Sequence, residues 1–293
     1  MVVLLRNEYK IFGFTRNKID DPFFNDCIIF DTNEDLENIL KNIQPDIIFH
    51  LASLTNSEEC VKNKIQTLEI NGLLICKIID KMGSNCKIIN ASSCEIYKGN
   101  GTYEIQEDDL NYNATHPYAF AKLLAHQMVK YYRESDNRWT ANATLFTTES
   151  PFRKDTFLIK KCVNHIKEWK SGFKRILKLG NISSYRNINH AYDVANALVL
   201  ISKQDRGDDY LVCGDDYLSV KDIVINLYKE GGLDLIENSE KSLFYLGNEV
   251  IIEFNSYNRT FEAQLNGKCQ KLRNLGWKRY FEGDLFFKNL INF

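Results

Sequence analysis

The sequence predicts an α/β protein in which a parallel sheet is covered by helices on both faces, with a smaller cap at the C-terminal end. Three observations carry this. Short β-rich runs at 10–15, 27–31, 46–51, 87–91 and 140–146 alternate with helical patterns at 34–43, 57–82 and 116–134. The strand runs are nearly continuous in apolar residues, as strands buried on both faces must be. Small and polar residues follow them: Phe30-Asp31, the HLAS at 50–53, the NASS at 90–93 and Phe146-Thr147-Thr148. In sheets of this kind ligands sit outside the carboxyl ends of the strands, which is where these residues fall.

The composition is that of a globular chain: 293 residues, 44% hydrophobic and 26% charged. Lys plus Arg number 37 against 39 Asp plus Glu, so no charge excess favours nucleic acid or a membrane surface. The eight cysteines contain no C-x-x-C pair, which signals neither a zinc site nor a redox pair, and no metal is expected. The opening MVVLLRNEYK lacks a cleavage signature and no stretch is long enough to span a bilayer. A reducing cytoplasm is the expected location.

Beyond about residue 150 the alternation loosens. Helical patterns at 155–171, 194–203 and 219–229 are separated by brief strands and end in a polar, irregular stretch. No Pro/Gly-rich linker marks the boundary.

One part is missing. A nucleotide-binding sheet normally opens with a strand and a glycine-rich turn whose amides hold a pyrophosphate at a helix N-terminus. Here the first glycine is Gly13, and neither G-x-G-x-x-G nor G-x-x-G-x-x-G occurs. The apolar run before Arg6 reads as the tail of the helix that would follow such a turn, so the first strand is absent. That strand lies mid-sheet, and its loss leaves two neighbours with unpaired backbone groups, each costing about 1–3 kcal/mol. The alternative is that residues 1–5 supply a substitute strand.

The chemistry-bearing residues lie around 90–122. Tyr118 and Lys122 are four apart in HPYAFAKLLAHQMV and share one helix face. An ammonium beside a phenol favours the phenolate and draws its pKa from about 10 towards neutrality, giving a general base suited to a sugar hydroxyl. Tyr217 and Lys221 have the same spacing and are read as decoys. What separates the two pairs is the NASSCEIY at 90–97, which sets a hydroxyl, Ser93, and a carboxylate, Glu95, between a buried strand and the Tyr-Lys helix. Singly, Ser93 could cap a turn and Glu95 could be a solvated loop acid. The ordered set is far less common.

These motifs resemble those of the GDP-mannose 4,6-dehydratases, within the extended short-chain dehydrogenases. The family's T-S-E-L-Y-G is matched by Ser93-Cys94-Glu95-Ile96-Tyr97-Lys98, and its S-P-Y-x-x-x-K by His116-Pro117-Tyr118 through Lys122. Its L-F-N-H-E-S-P-R-R is matched by Leu145-Phe-Thr-Thr-Glu-Ser-Pro-Phe-Arg153. Its L-G-N-x-x-x-x-R-D-W-G-H-A-x-D is matched by Leu179-Gly-Asn181, Arg186, His190, Ala191 and Asp193. Arg259-Thr-Phe-Glu262 follows R-P-x-E, and Leu275-Gly-Trp277 follows a final L-G-W. The resemblance implies a Rossmann-like domain over 1–150 that binds NADP, N-terminally shortened, and a substrate-binding region over 151–293, part of whose 186–215 segment returns to the sheet.

The resemblance also implies roles. Tyr118, held by Lys122, takes the proton of the sugar 4-hydroxyl; Glu95 takes the C5 proton; Ser93 and Glu95 assist departure of water from C6. The implied NADP contacts are Arg16, Asp31, Leu51, Ala52, Tyr118, Lys122 and Arg153, and the implied nucleotide-sugar contacts are Arg186, Arg259 and Glu262. Ser93 replaces threonine and loses the β-methyl that stiffens χ1, which implies a slower site. Thr147 and Thr148 replace the family's Asn and His. The family's longer insertion after a double arginine is absent beyond Arg16, which points to a homodimer through the helices at 57–82 and 116–134. Two readings follow: a working nucleotide-sugar 4,6-dehydratase, or a non-catalytic relative that binds a nucleotide sugar or a partner chain.

Overall fold

The computed structural model describes residues 1–5, 7–15, 26–29, 33–98, 103–109, 112–254 and 264–292. Arg16, Asp31, Arg259 and Glu262 lie outside the described residues. The strands fall where the apolar runs predict them, at Phe12–Thr15, Asp26–Ile29, Ile47–His50, Lys87–Ser93 and Thr140–Leu145. Four strands form one wholly parallel sheet in the spatial order Asp209–Val212, Thr140–Leu145, Lys87–Ser93, Ile47–His50.

Both faces of this sheet are buried because successive side chains alternate across it. Ile88 joins a core formed with Leu36, Leu40, Ile75, Ile79, Ala125 and Val129 of the helices Asn33–Ile43, Leu74–Lys81 and Pro117–Ser135. Ile89 points the other way, into a core with Ala141, Ala143, Ala197, Leu198 and Ile201, the last three from the helix Ala191–Ser202. Polar residues inside the sheet are bonded to one another. Asn90 donates to Asn142 at 2.9 Å, and Asn142 donates to the His126 carbonyl at 3.0 Å and to Asp209 at 2.9 Å.

Phe12–Thr15 and Asp26–Ile29 make a separate two-stranded parallel sheet. Among the described residues neither of these strands pairs with Ile47–His50, so the sheet is interrupted where the sequence predicts a missing strand. Val2–Leu5 is helical, which rules out the substitute strand. Phe14 and Ile48 pack against the same apolar core, so the two sheets share one helical layer across the interruption.

The helical pattern at 57–82 is continuous in sequence but broken in structure. It runs as Ser57–Lys62, Lys64–Leu68, a π turn Glu69–Leu73 and Leu74–Lys81. Gly72 lies in the π turn, where a β-carbon would meet the Ala121 carbonyl oxygen and Leu124 Cδ2, each at 3.2 Å. The turn thus lets this segment approach the Pro117–Ser135 helix closely.

The C-terminal part has its own core, with Ile166, Val224, Leu227, Tyr228, Phe244, Ile252, Phe286 and Leu290 at its centre. The stretch that reads as irregular in sequence holds three strands, Ile236–Asn238, Leu243–Leu246 and Glu249–Phe254, joined to Leu177–Leu179 in a four-stranded sheet. A three-stranded sheet of Thr147–Glu149, Tyr185–His190 and Tyr217–Ser219 continues from the end of the main sheet.

Candidate active site

The carboxyl ends of Ile47–His50, Lys87–Ser93 and Thr140–Leu145 open on one side of the sheet. Ser93 ends its strand and caps the short 3-10 turn Cys94–Tyr97, its Oγ accepting from the Glu95 amide at 3.3 Å. The helix Pro117–Ser135 starts beside that turn, with Pro117 at a first-turn position where its fixed φ suits the helix and no hydrogen bond is lost. Tyr118 and Lys122, one turn apart, are thereby brought against Ser93 and Glu95. The four predicted catalytic residues come together.

Their electrostatics differ from the sequence expectation. Burial pushes the Tyr118 phenol up to about 12; the Ser93 and Ser53 hydroxyls beside it lower it in part, while Cys94 and Glu95 raise it further. Burial also pushes Lys122 down, to about 8. The predicted drift of Tyr118 towards neutrality is therefore overturned. Lys122 is 2% exposed, and its ammonium donates to the Ala91 carbonyl at 2.8 Å while lying 6.0 Å from the Tyr118 ring centre. Its charge is directed at the backbone, and desolvation dominates both groups.

Glu95 is held between two cationic or donor groups. Its Oε2 lies 3.2 Å from Lys98 Nζ and 3.1 Å from His116 Nε2. Burial opposes its ionisation, but His116 and Lys98 outweigh this and keep the carboxyl below its ordinary range.

Leu51 and Ala52 follow His50 at the strand end, and both are exposed. Their loop is fixed by Asn71 of the π turn, which accepts from the Leu54 amide at 2.8 Å and donates to the Leu54 carbonyl at 2.9 Å. Asn71 is 1% exposed and was not singled out in the sequence, where one more Asn in an Asn-rich chain carries no signal.

Arg153 and Arg186 line a cavity of about 350 Å³ with Glu149, Phe157, Leu179, Asn181 and Ser184. None of the four catalytic candidates lines it. The Arg153 guanidinium stacks 3.7 Å over the Phe157 ring and lies 3.8 Å from Glu149. Glu149 is pushed by burial up to about 7, with Arg153 pulling the other way. Arg186 donates to the Tyr185 carbonyl at 2.8 Å. Tyr217 lies on a strand and Lys221 in the following helix, Val220–Glu230. Their spacing thus gives no shared helix face.

A family profile described as GDP-mannose 4,6 dehydratase matches residues 15–288. The chain belongs to that family. Two curated members are the GDP-mannose 4,6-dehydratase of Yersinia enterocolitica, 28% identical over 214 residues, and that of Homo sapiens, 25% identical over 255. These alignments cover 71% and 85% of this chain but 57% and 64% of the relatives, so it spans less than two thirds of their length. Among solved structures, RMD from Pseudomonas aeruginosa complexed with NADPH superposes with a TM-score of 0.74 at 19% identity, covering 91% of this chain and 89% of that one. The dTDP-glucose 4,6-dehydratase of Bacillus anthracis in complex with NAD gives 0.79 at 15%, covering 99% and 89%. These likenesses show the fold: a Rossmann-type parallel sheet flanked by helices.

The described residues fit one end of a nicotinamide dinucleotide better than the other. His50 is buried at a strand end with neither ring nitrogen in hydrogen-bonding geometry, and Glu149 Oε2 and Arg153 Nε, 3.8 Å apart, make no hydrogen bond among the described residues. Such atoms are expected to be satisfied by a ligand or water. At the pyrophosphate end the sequence offers no glycine-rich turn, and the sheet is interrupted where that turn would arise.

Proposed function

We propose that this chain is a nucleotide-sugar 4,6-dehydratase of the GDP-mannose type that works with NADP by internal hydride transfer. The observation that carries this is the convergence of Ser93, Glu95, Tyr118 and Lys122 at the carboxyl end of the Lys87–Ser93 strand. In this reading Leu51, Ala52, Tyr118, Lys122 and Arg153 contact NADP, together with Asp31 and with Arg16 at its 2′-phosphate. When bound, NADP supplies the acceptor and donor of the hydride. Residues 1–150 form the NADP-binding domain, and 151–293 bind the substrate through Arg186, Arg259 and Glu262.

Tyr118 acts as its phenolate: once the phenol has released its proton to solvent, with Lys122 close enough to stabilise the anion, it takes the proton of the sugar 4-hydroxyl as the alcohol is oxidised and becomes the neutral phenol. The 4-keto group acidifies C5. Glu95, kept ionised by Lys98 and His116, takes the C5 proton. Glu95 returns that proton to the departing C6 oxygen, which Ser93 hydrogen-bonds, and the oxygen leaves as water.

The partner we assign is a second copy of the chain, in the cytoplasm. Ile65 is 72% exposed and Phe120 57%, on helices that pack together in the monomer; a homodimer through this face covers both.

The interrupted sheet supports a second reading, a relative that binds a nucleotide sugar or a partner chain without catalysis. Calorimetry of NADP⁺ and NADPH with the full chain separates the two. Micromolar binding supports the dehydratase; no binding up to millimolar cofactor supports the second reading, since weak pyrophosphate capture follows from losing the amide cradle.

A further inference from the structure

The family motif places serine where this chain has His116. The residue is fixed at the N-cap of the Pro117–Ser135 helix, yet its side chain makes no capping bond. It turns to Glu95 instead, with Nε2 at 3.1 Å from Oε2. Its ring stacks on Tyr118, with centroids 6.0 Å apart and planes 14° apart. Its Nδ1 is buried with no partner among the described residues. A titratable imidazole is thus wedged between the two residues that move protons.

We propose that His116 is a positioning residue that stores the proton for Glu95, making a carboxylate–imidazole pair the acid–base unit of this site. This rests on the dehydratase reading. As the C5–H bond breaks, its proton forms an O–H bond on Glu95. The acid passes that proton to His116 Nε2, leaving a carboxylate beside an imidazolium. As the C6–O bond breaks, the proton returns through Glu95 to the leaving oxygen and departs in water. Nothing is oxidised or reduced in this sequence, and no proton is drawn from solvent.

The surrounding charges suit the exchange. Lys98, on the same turn, holds Glu95 ionised between turnovers, while Tyr118 faces the pair from the helix. Arg186 acts on the turn from the strand Tyr185–His190, and Cys94 is pushed by burial up to about 12 and stays a neutral thiol. A lone carboxylate so stabilised is a weak base, which has little driving force to hold a carbon-bound proton. An adjacent imidazole removes that limit.

The test uses the full chain with H116Q and H116S. H116Q keeps a hydrogen-bond donor near Glu95 but cannot store a proton; H116S restores the family's residue. Glu95 is titrated by ¹³C NMR of glutamate-labelled protein, and the pH profile of GDP-mannose turnover is measured with NADP⁺. The expected result is a Glu95 titration at higher pH in H116S than in the parent, with the acid limb of kcat/KM moving the same way. In H116Q, kcat falls about 10- to 100-fold with KM within about threefold. An unmoved Glu95 titration overturns the proposal, as does full turnover by H116Q, which a purely structural donor would give. Activity with an unchanged pH profile overturns the His116 assignment alone. Absence of turnover by the unsubstituted chain overturns the dehydratase reading and the relay with it.

Discussion

Asp193 accepts the Tyr280 and Phe281 amides at 2.7 and 3.0 Å, and its own carbonyl accepts from Trp277 Nε1 at 3.0 Å. Two motifs that are 84 residues apart in the chain are in fact one joint. Their residues hold the C-terminal segment onto the Ala191–Ser202 helix, and none of this is visible in spacing. D193A removes a buried carboxylate that satisfies the Tyr280 and Phe281 amides, so it is expected to lower unfolding stability by about 1–3 kcal/mol in denaturant titration. Glu149 gives a signed pH effect. Its folded pKa is raised to about 7 from 4.5, so the native state holds the extra proton between those values and stability falls as pH rises through that window. E149Q removes the dependence; it is expected to exceed the parent by about 1–3 kcal/mol at pH 8 and to lose that advantage below pH 5. A flat difference across the window would show Glu149 to be ionised throughout. At this scale the sequence displays which residues can do chemistry, but burial decides how they titrate, and burial reversed the expectation for Tyr118.

Strands were legible because buried parallel strands are short, apolar and punctuated by polar ends; all five early runs became strands within a few residues of the expected bounds. Helix continuity was not legible. The periodic pattern over 57–82 conceals a π turn that is demanded by the close crossing at Gly72 and by the Asn71 bond to the 51–56 loop. The strands at 236–254 were missed because their apolar runs, LFYL at 243–246 and VII at 250–252, are short and set among polar residues and a glycine. Gly207 shows how tightly the main sheet is joined. A β-carbon there would strike the Thr140 carbonyl oxygen. G207A is therefore expected to separate the strand Asp209–Val212 from Thr140–Leu145 and cost about 1–3 kcal/mol, read as a lowered Tm.

The molecule as a whole sets Ser93, Glu95, Tyr118 and Lys122 at the carboxyl end of a four-stranded parallel sheet, beside which Phe12–Thr15 and Asp26–Ile29 form a separate pair. The family and the fold were legible in the sequence because motif order and strand–helix alternation survive without coordinates. The location of the cavity holding Arg153 and Arg186 was not, since it is assembled from segments that meet only in three dimensions. The proposed dimer follows from the exposed apolar face, and I65E with F120E is expected to convert it to monomer in sedimentation while leaving the far-UV spectrum unchanged. The central claim is that Ser93, Glu95, Tyr118 and Lys122 act as one dehydrating unit. It is tested most directly by incubating the full chain with GDP-mannose and NADP⁺ and following the sugar by NMR, beside Y118F. The account predicts a 4-keto-6-deoxy product from the parent chain and a loss of about 10²- to 10⁴-fold in Y118F. Unchanged GDP-mannose with the parent chain, or equal turnover by Y118F, would contradict it.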